Sequence, residues 1–230
     1  MQRRKKLCIS HIIPKSFYEN VDHRRYTRDK IKNPKLLHRG EVDNNILCEE
    51  HDRLIGIYDE YANYLLVNEI NKYKKENCYI IPKENFDYDK LRKFIVSLIW
   101  RASITKNNFF ENVSLGPYEK KALQIIKGIN NRENTFGFCI YKLDGEQNKY
   151  LQRMTLEPYT EYTHYHRAIY HFTFKGLHIK IFPNTNNLER KINFTTKNND
   201  LVINIDRTET LLKALSIVEQ RQKLVTSPQN

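Results

Sequence analysis

No glycine-rich phosphate loop, no internal repeat and no low-complexity linker occurs in these 230 residues, and Gly and Pro supply only 7 residues each. The first absence excludes a nucleotide cradle of the P-loop or dinucleotide type, and the second excludes a solenoid. No apolar run approaches the roughly 20 residues that a membrane span needs. Residues 7–13 are too few, and too polar at Ser10 and His11, for a signal peptide. The four cysteines, Cys8, Cys48, Cys78 and Cys139, are scattered without the spacing of a secreted disulfide framework. A reducing cytoplasm, with no membrane partner, is therefore the expected setting.

Hydrophobic residues at 40% and charged residues at 29% describe a chain able to bury a core as one domain or two small ones. The net charge of +12 is unevenly spread. Residues 1–40 hold twelve Lys and Arg against Glu19, Asp22 and Asp29, a local charge of +9. Such clustering favours a polyanionic partner, because neutralising phosphates releases counterions and steers encounter. The plainer alternative is a solvated basic face. The nucleic-acid-binding candidates are Arg3, Arg4, Lys5, Lys6, Lys15, Arg24, Arg25 and Arg28, with DNA as the expected partner.

Residues 7–14 read as a strand ended by Pro14, and residues 19–43 as a polar excursion containing Asn33-Pro34 and Gly40. Leu54, Tyr58, Tyr61, Leu65 and Ile70 share one face of a helix from about Cys48 to Lys75. A second helix, capped by Asp87 or Asp89, is expected to reach about Thr105, and a third to run from Gly116-Pro117 to Gly128. From Thr135 the pattern becomes strand-like at residues 136–141, 168–174, 177–182 and 200–205, with Lys175-Gly176 as a tight turn. Leu177, Ile179 and Ile181 alternate with His178, Lys180 and Phe182, which predicts one buried face; Thr208 is expected to cap a last helix.

The chemistry concentrates in Ser10-His11-Ile12-Ile13-Pro14 and Ile46-Leu47-Cys48-Glu49-Glu50-His51-Asp52. A histidine ending a strand, followed by Cys-x-x-His opening a helix, is the spacing of a hairpin-plus-helix nuclease centre. There an imidazole takes a proton from water and a metal holds a phosphate. A lone histidine before Ile-Ile-Pro is also a common structural residue. Cys48 and His51 lie three apart, so both side chains can reach one Zn²⁺, with Cys8 and His23 or His38 completing a structural site. Alternatively, His51 or Asp52 faces a catalytic Mg²⁺ or Mn²⁺, or the zinc site is lost and Cys48 is simply buried. His164-x-His166, with His171 and His178 beyond, has no acidic or Cys partner at ligand spacing, and a metal is not expected there. Trp100-Arg101 and Tyr58, Tyr61, Tyr64 and Tyr73 read as packing residues, and Cys78 and Cys139 as small core residues.

Residues 10–16, taken with residues 46–60, resemble bacterial HNH-like proteins that run S-H-I-I-P, then L-L-C-x-x-C, then an aromatic and Glu-x-Tyr within a helix. Leu98-Ile99-Trp100-Arg101-Ala102-Ser103 and Leu115-Gly116-Pro117-Tyr118-Glu119 are similar to the W-R-x-S and L-G-P-x-E segments of the same group. The resemblance touches most of the first 120 residues and implies a nuclease-like module of prophage or anti-phage defence. It also implies a metal-dependent reaction with His11 as general base. The departures are definite. Only Cys8 stands where such proteins carry an upstream Cys pair, and the later pair is Cys48-x-x-His51. Asp52 takes the place of a metal-binding His or Asn, and the histidine-orienting Asn of HNH enzymes falls on Asp43, with Asn44 and Asn45 beside it.

These readings combine into an α+β protein with an N-terminal HNH-like ββα-metal module over residues 1–77, a helical middle over 78–134, and a C-terminal antiparallel sheet with a closing helix over 135–225. The expected function is a metal-dependent endonuclease acting on DNA, with Asn44 or Asn45 orienting His11 and a partner ATPase or sensor gating it. The alternatives are a non-catalytic nucleic-acid- or partner-binding protein with a degraded HNH module, and an RNA-cleaving toxin.

Overall fold

The computed structural model describes residues 6–18, 23–26, 35–37, 40–129, 135–143, 153–163, 167–185 and 194–206, with backbone only for 23–26 and 35–37. The chain opens with β1 (Leu7–His11), which pairs antiparallel with β4 (Val42–Cys48). Between them, β2 (His23–Tyr26) and β3 (Lys35–Leu37) cross to another sheet. Helix α1 (Glu49–Asn63) follows β4 without a break and continues through a π-helical segment, Tyr64–Glu69, and a 3-10 turn, Ile70–Tyr73. Then come β5 (Cys78–Ile81), α2 (Tyr88–Ile104), α3 (Glu119–Ile126), β6 (Thr135–Leu143), β7 (Met154–Tyr162), β8 (Ala168–Phe174), β9 (Leu177–Asn184) and β10 (Leu201–Asp206). The protein is α+β.

The expected antiparallel C-terminal sheet is corrected to a mixed one. Its strand order is β3-β2-β7-β8-β9-β6-β10-β5, so the sheet is open, with six strands from β7 to β5 and two short ones added beside β7. β10 runs parallel to β6, and β2 parallel to β7. β5, which lies before α2 in the chain, pairs with β10, which lies after β9. Two short strands occupy the polar excursion of residues 19–43. Its ends meet, because Gly40 at φ +74° lies against the ring of Tyr18. The expected closing helix after Thr208 and the His164-x-His166 pair lie outside the described residues.

α2 is the central helix. Asp87 caps it by accepting the Lys90 N–H at 3.0 Å, and Leu91, Phe94, Ile95, Leu98, Ile99 and Ala102 are buried. At α3, Pro117 lies in the leading 3-10 turn, and Gly128 at φ +72° follows the helix end. The segment after His11 plugs into the same core. Ile12, Ile13 and Phe17 are buried, and the Phe17 ring stacks 5.8 Å from Phe94 and meets Phe174 edge-on at 5.1 Å. No helix among the described residues is long and apolar enough to cross a membrane.

β9 departs from the expected single buried face. His178 and Phe182 are buried along with Leu177, Ile179 and Ile181, so both sides of this strand are covered. Leu177, Ile179 and Ile181 join the helix-facing core, whereas Phe182 packs with Cys139, Ile169, Tyr141 and Phe194 on the other side. Central strands of a wide sheet are covered on both faces, and alternation then disappears from their burial pattern.

Candidate functional site

His11 is the last residue of β1 and is half-buried. Its position is fixed from below by the apolar plug of residues 12–17 and from the side by Arg101. The Nη1 of Arg101 donates to the His11 carbonyl at 2.8 Å. The same guanidinium makes a bidentate pair with Asp59 of α1, both N–H to carboxylate distances being 2.8 Å, and its Nε donates to the Ser97 carbonyl at 3.3 Å. Burial pushes the Asp59 carboxyl up, and Arg101 opposes it. A protonated Asp59 would leave a buried guanidinium uncompensated, so the pair is ionised at neutral pH. The arginine of the W-R-x-S segment therefore ties α2, α1 and β1 together. The serine of that segment ties α2 to α3: Ser103 donates to Glu119 at 3.1 Å and accepts the Leu115 N–H at 2.9 Å.

The hairpin register explains where the nominated asparagines fall. Cys8 is opposite Leu47 and Ser10 opposite Asp43, so β4 carries two more residues than β1 in this interval. That bulge contains Asn44 and Asn45, both exposed. Asp43 builds it. Its Oδ1 accepts the Asn45 N–H at 2.7 Å, and its Oδ2 accepts the Thr105 hydroxyl at 2.6 Å and the Lys106 N–H at 3.3 Å. Burial raises the Asp43 carboxyl, but these hydrogen bonds and the charge of Lys106 outweigh it and hold the group below its ordinary value. Asp43, expected at the histidine-orienting position, is thus committed to joining the bulge to the end of α2.

Cys48 and His51 are brought together. The Sγ and Nδ1 atoms are 3.0 Å apart at the start of α1, with Cys48 buried and His51 half-buried. Two ligands on one tetrahedral zinc are about 3.5 Å apart, so a small opening of this pair would seat the ion. Asp52 lies in the same first turn, with Glu49 and Glu50. These carboxylates suit the helix dipole and make this end attractive to a cation. Cys8 is not part of the group. Leu7 pairs with Cys48 and Cys8 with Leu47, so the two cysteines occupy opposite faces of the hairpin, and Cys8 Sγ donates to the Leu47 carbonyl at 3.5 Å. Among the described residues no three His, Cys, Asp or Glu side chains are grouped to hold a metal. His23 and His38, the other nominated ligands, lie outside the described side chains.

Of the basic residues, Lys6 and Lys15 are exposed on either side of β1. Arg24 and Arg25 lie on β2, whereas Arg3, Arg4, Lys5 and Arg28 are outside the described residues. Cys139 is a buried core thiol, pushed up to about 11 by burial, and Tyr64 points outward with an exposed ring.

No acidic residue stands at ligand spacing from His171 in the sequence, yet the fold brings one to it. Glu161 Oε2 is 3.1 Å from His171 Nε2 across β7 and β8. His178 joins them, with its Nε2 3.2 Å from His171 Nδ1 and its Nδ1 2.7 Å from Thr173 Oγ1. The Lys175-Gly176 turn was the available signal, because a two-residue turn there sets Thr173 opposite His178. β7 falls between the expected strands, so residue spacing gives Glu161 no place beside them.

No family model, curated protein or solved structure matches this chain.

Proposed function

We propose that this protein is an HNH-like, divalent-metal-dependent endonuclease acting on DNA, its catalytic unit the hairpin β1–β4 with the start of α1. The observation that carries the reading is the strand–strand–helix unit itself, with His11, paired with Val42, at one end of the hairpin and Cys48, paired with Leu7, beside His51 at the other. His11 ends the first strand with its carbonyl held by Arg101, and the second strand runs directly into the helix turn bearing Cys48 and His51. In this reading His11 takes a proton from the attacking water, the general-base task for which imidazole is the commonest side chain. Asn44 or Asn45, exposed in the bulge, orients His11. His51 or Asp52 would contribute to holding the divalent cation, whose charge would offset that of the scissile phosphate, and Cys48 with His51 is the pair suited to a structural Zn²⁺ instead. Lys6, Lys15 and the rest of the basic N-terminal segment hold the DNA backbone without reading sequence. A defence role gated by an ATPase or sensor partner belongs to the same reading.

One observation favours a second reading, a nucleic-acid-binding module that no longer cuts. Asp43, at the strict HNH asparagine position, is occupied by Thr105, Lys106 and Asn45, and among the described residues Cys48 and His51 meet at α1 without a third ligand grouped with them. A cleavage assay on duplex and single-stranded DNA and on RNA, with Mg²⁺, Mn²⁺ or Zn²⁺, separates the two. The nuclease reading expects cleavage that His11→Ala lowers by about two orders of magnitude or more while DNA affinity stays nearly unchanged. No cleavage with any of these ions, or equal cleavage by His11→Ala, overturns it.

A further inference from the structure

The sheet face turned away from the helices carries a line of polar side chains that the hairpin chemistry does not use. His171 and His178 are 2% and 1% exposed. They form an unbroken series of contacts, Thr173 Oγ1 to His178 Nδ1 at 2.7 Å, His178 Nε2 to His171 Nδ1 at 3.2 Å, and His171 Nε2 to Glu161 Oε2 at 3.1 Å. The Tyr159 ring lies parallel to His171, 4.3 Å between centroids and 9° between planes.

Proton counting allows one arrangement of this series at neutral pH. A neutral imidazole has one N–H and one lone pair. The Glu161 side chain is 56% exposed, a solvated carboxylate that only accepts, so His171 carries its proton on Nε2 and accepts on Nδ1. His178 must then donate from Nε2, which leaves its Nδ1 to accept the Thr173 hydroxyl proton. Every contact is satisfied, and all three point from Thr173 towards Glu161.

We propose that this Thr173–His178–His171–Glu161 series is a one-proton switch, which on acidification stores a proton as a His171 imidazolium on Glu161 while the neutral His178 inverts from its Nε2–H to its Nδ1–H tautomer. Atoms and charges balance. A proton reaching Thr173 Oγ releases the hydroxyl hydrogen to His178 Nδ1, and His178 passes its Nε2 hydrogen to His171 Nδ1. Thr173 remains a hydroxyl and now accepts from His178 Nδ1–H. A second proton has no place, because two imidazolium rings would set N–H against N–H across 3.2 Å.

The surroundings decide which ring is charged. Burial holds both histidines below their ordinary value. Lys180 adds to that effect at both rings; at His171 the Glu161 carboxylate opposes it, whereas at His178 the neighbouring His171 adds to it further. From β6, Cys139 and Tyr141 face the series, and from β7 Tyr159; burial pushes all three up, so they stay neutral while histidines titrate. Asp206 on β10 acts on Tyr141. Lys180 on β9, 5.4 Å from the Tyr141 centroid, and Glu161 are charged groups that act on the rings.

Two-bond ¹H–¹⁵N spectra of the ¹⁵N-labelled full chain, recorded from about pH 8 to about pH 5, test the switch. The expected result is two Nε2–H tautomers at the upper end, then a single imidazolium at His171 with transfer of the His178 hydrogen to Nδ1. Thr173→Val should abolish the transfer and lower the His171 midpoint, and Thr173→Ser should keep both. The switch is overturned if His178 keeps its Nε2–H while His171 titrates, if both rings become cations together, or if neither ring changes. An inversion that survives in Thr173→Val overturns it as well. Should Thr173→Val not fold, the wild-type spectra decide alone.

Discussion

Arg101 donates to the backbone carbonyl of His11 at 2.8 Å, across ninety residues of sequence, while Asp59 grips the same guanidinium from α1. The candidate catalytic strand is therefore anchored to the extensively buried α2 through a charge, not through apolar packing alone. Removing one partner of a buried ion pair leaves the other uncompensated.

The first prediction follows from that pair. Arg101→Met and Asp59→Asn should each lower stability by about 3–5 kcal/mol, and the double replacement Asp59→Leu with Arg101→Met should recover part of the loss. Urea midpoints read the effect. If either single variant matched the wild type, the pair would not anchor β1.

Acid should weaken the fold through the histidines. Both folded values lie below the ordinary 6.5, so the unfolded chain binds more protons as pH falls through that value. Stability is full above 6.5 and declines below it, by up to about 1.4 kcal/mol per pH unit for each histidine. Once His171 takes its proton, the slope should fall to the part owed to His178. Asp43 acts separately and lower. Its folded value is below 3.8, so its contribution is present above 3.8 and is lost as pH falls further. Stability profiles of His178→Gln and Asp43→Asn should each lose the corresponding segment of slope; an unchanged profile in His178→Gln would count against the histidine assignment.

Two glycines should respond with opposite signs. A Cβ on Gly137 would lie 2.5 Å from Thr185 Cγ2 and 2.9 Å from Phe194 Cδ1, so Gly137→Ala should be destabilising. A Cβ on Gly56, inside α1, would meet nothing within 4 Å. Gly56→Ala should therefore stabilise the protein by roughly 0.5–1 kcal/mol, the helix-interior difference between these residues. Thermal midpoints of the two variants check both directions.

Metal and DNA binding give the last expectation, which rests on the proposed function. At most one transition metal ion per chain should bind tightly, and Cys48→Ser should release it; elemental analysis of protein purified without chelators reads this. Duplex binding should weaken steeply with salt, and deleting residues 1–6 should flatten the salt slope by roughly 0.9 for each phosphate that is no longer neutralised. Salt-independent binding would point to a protein partner instead.

Local sequence carried the three helices, because their apolar spacing, the Asp87 cap and Gly128 act within one or two turns. It also carried the Cys48–His51 contact, since residues three apart at a helix start are neighbours whatever the rest of the chain does. Strand partners are set at a distance. The parallel pairing of β10 with β6, the entry of β5 into the same sheet and the meeting of Tyr18 with Gly40 depend on how the whole core closes. The same reason separates the two halves of the site chemistry. That His11 ends a strand was legible from Pro14, but Arg101 reaching its carbonyl, Cys8 turning away from Cys48, and Glu161 completing the histidine series were decided by register and burial, which no local spacing encodes.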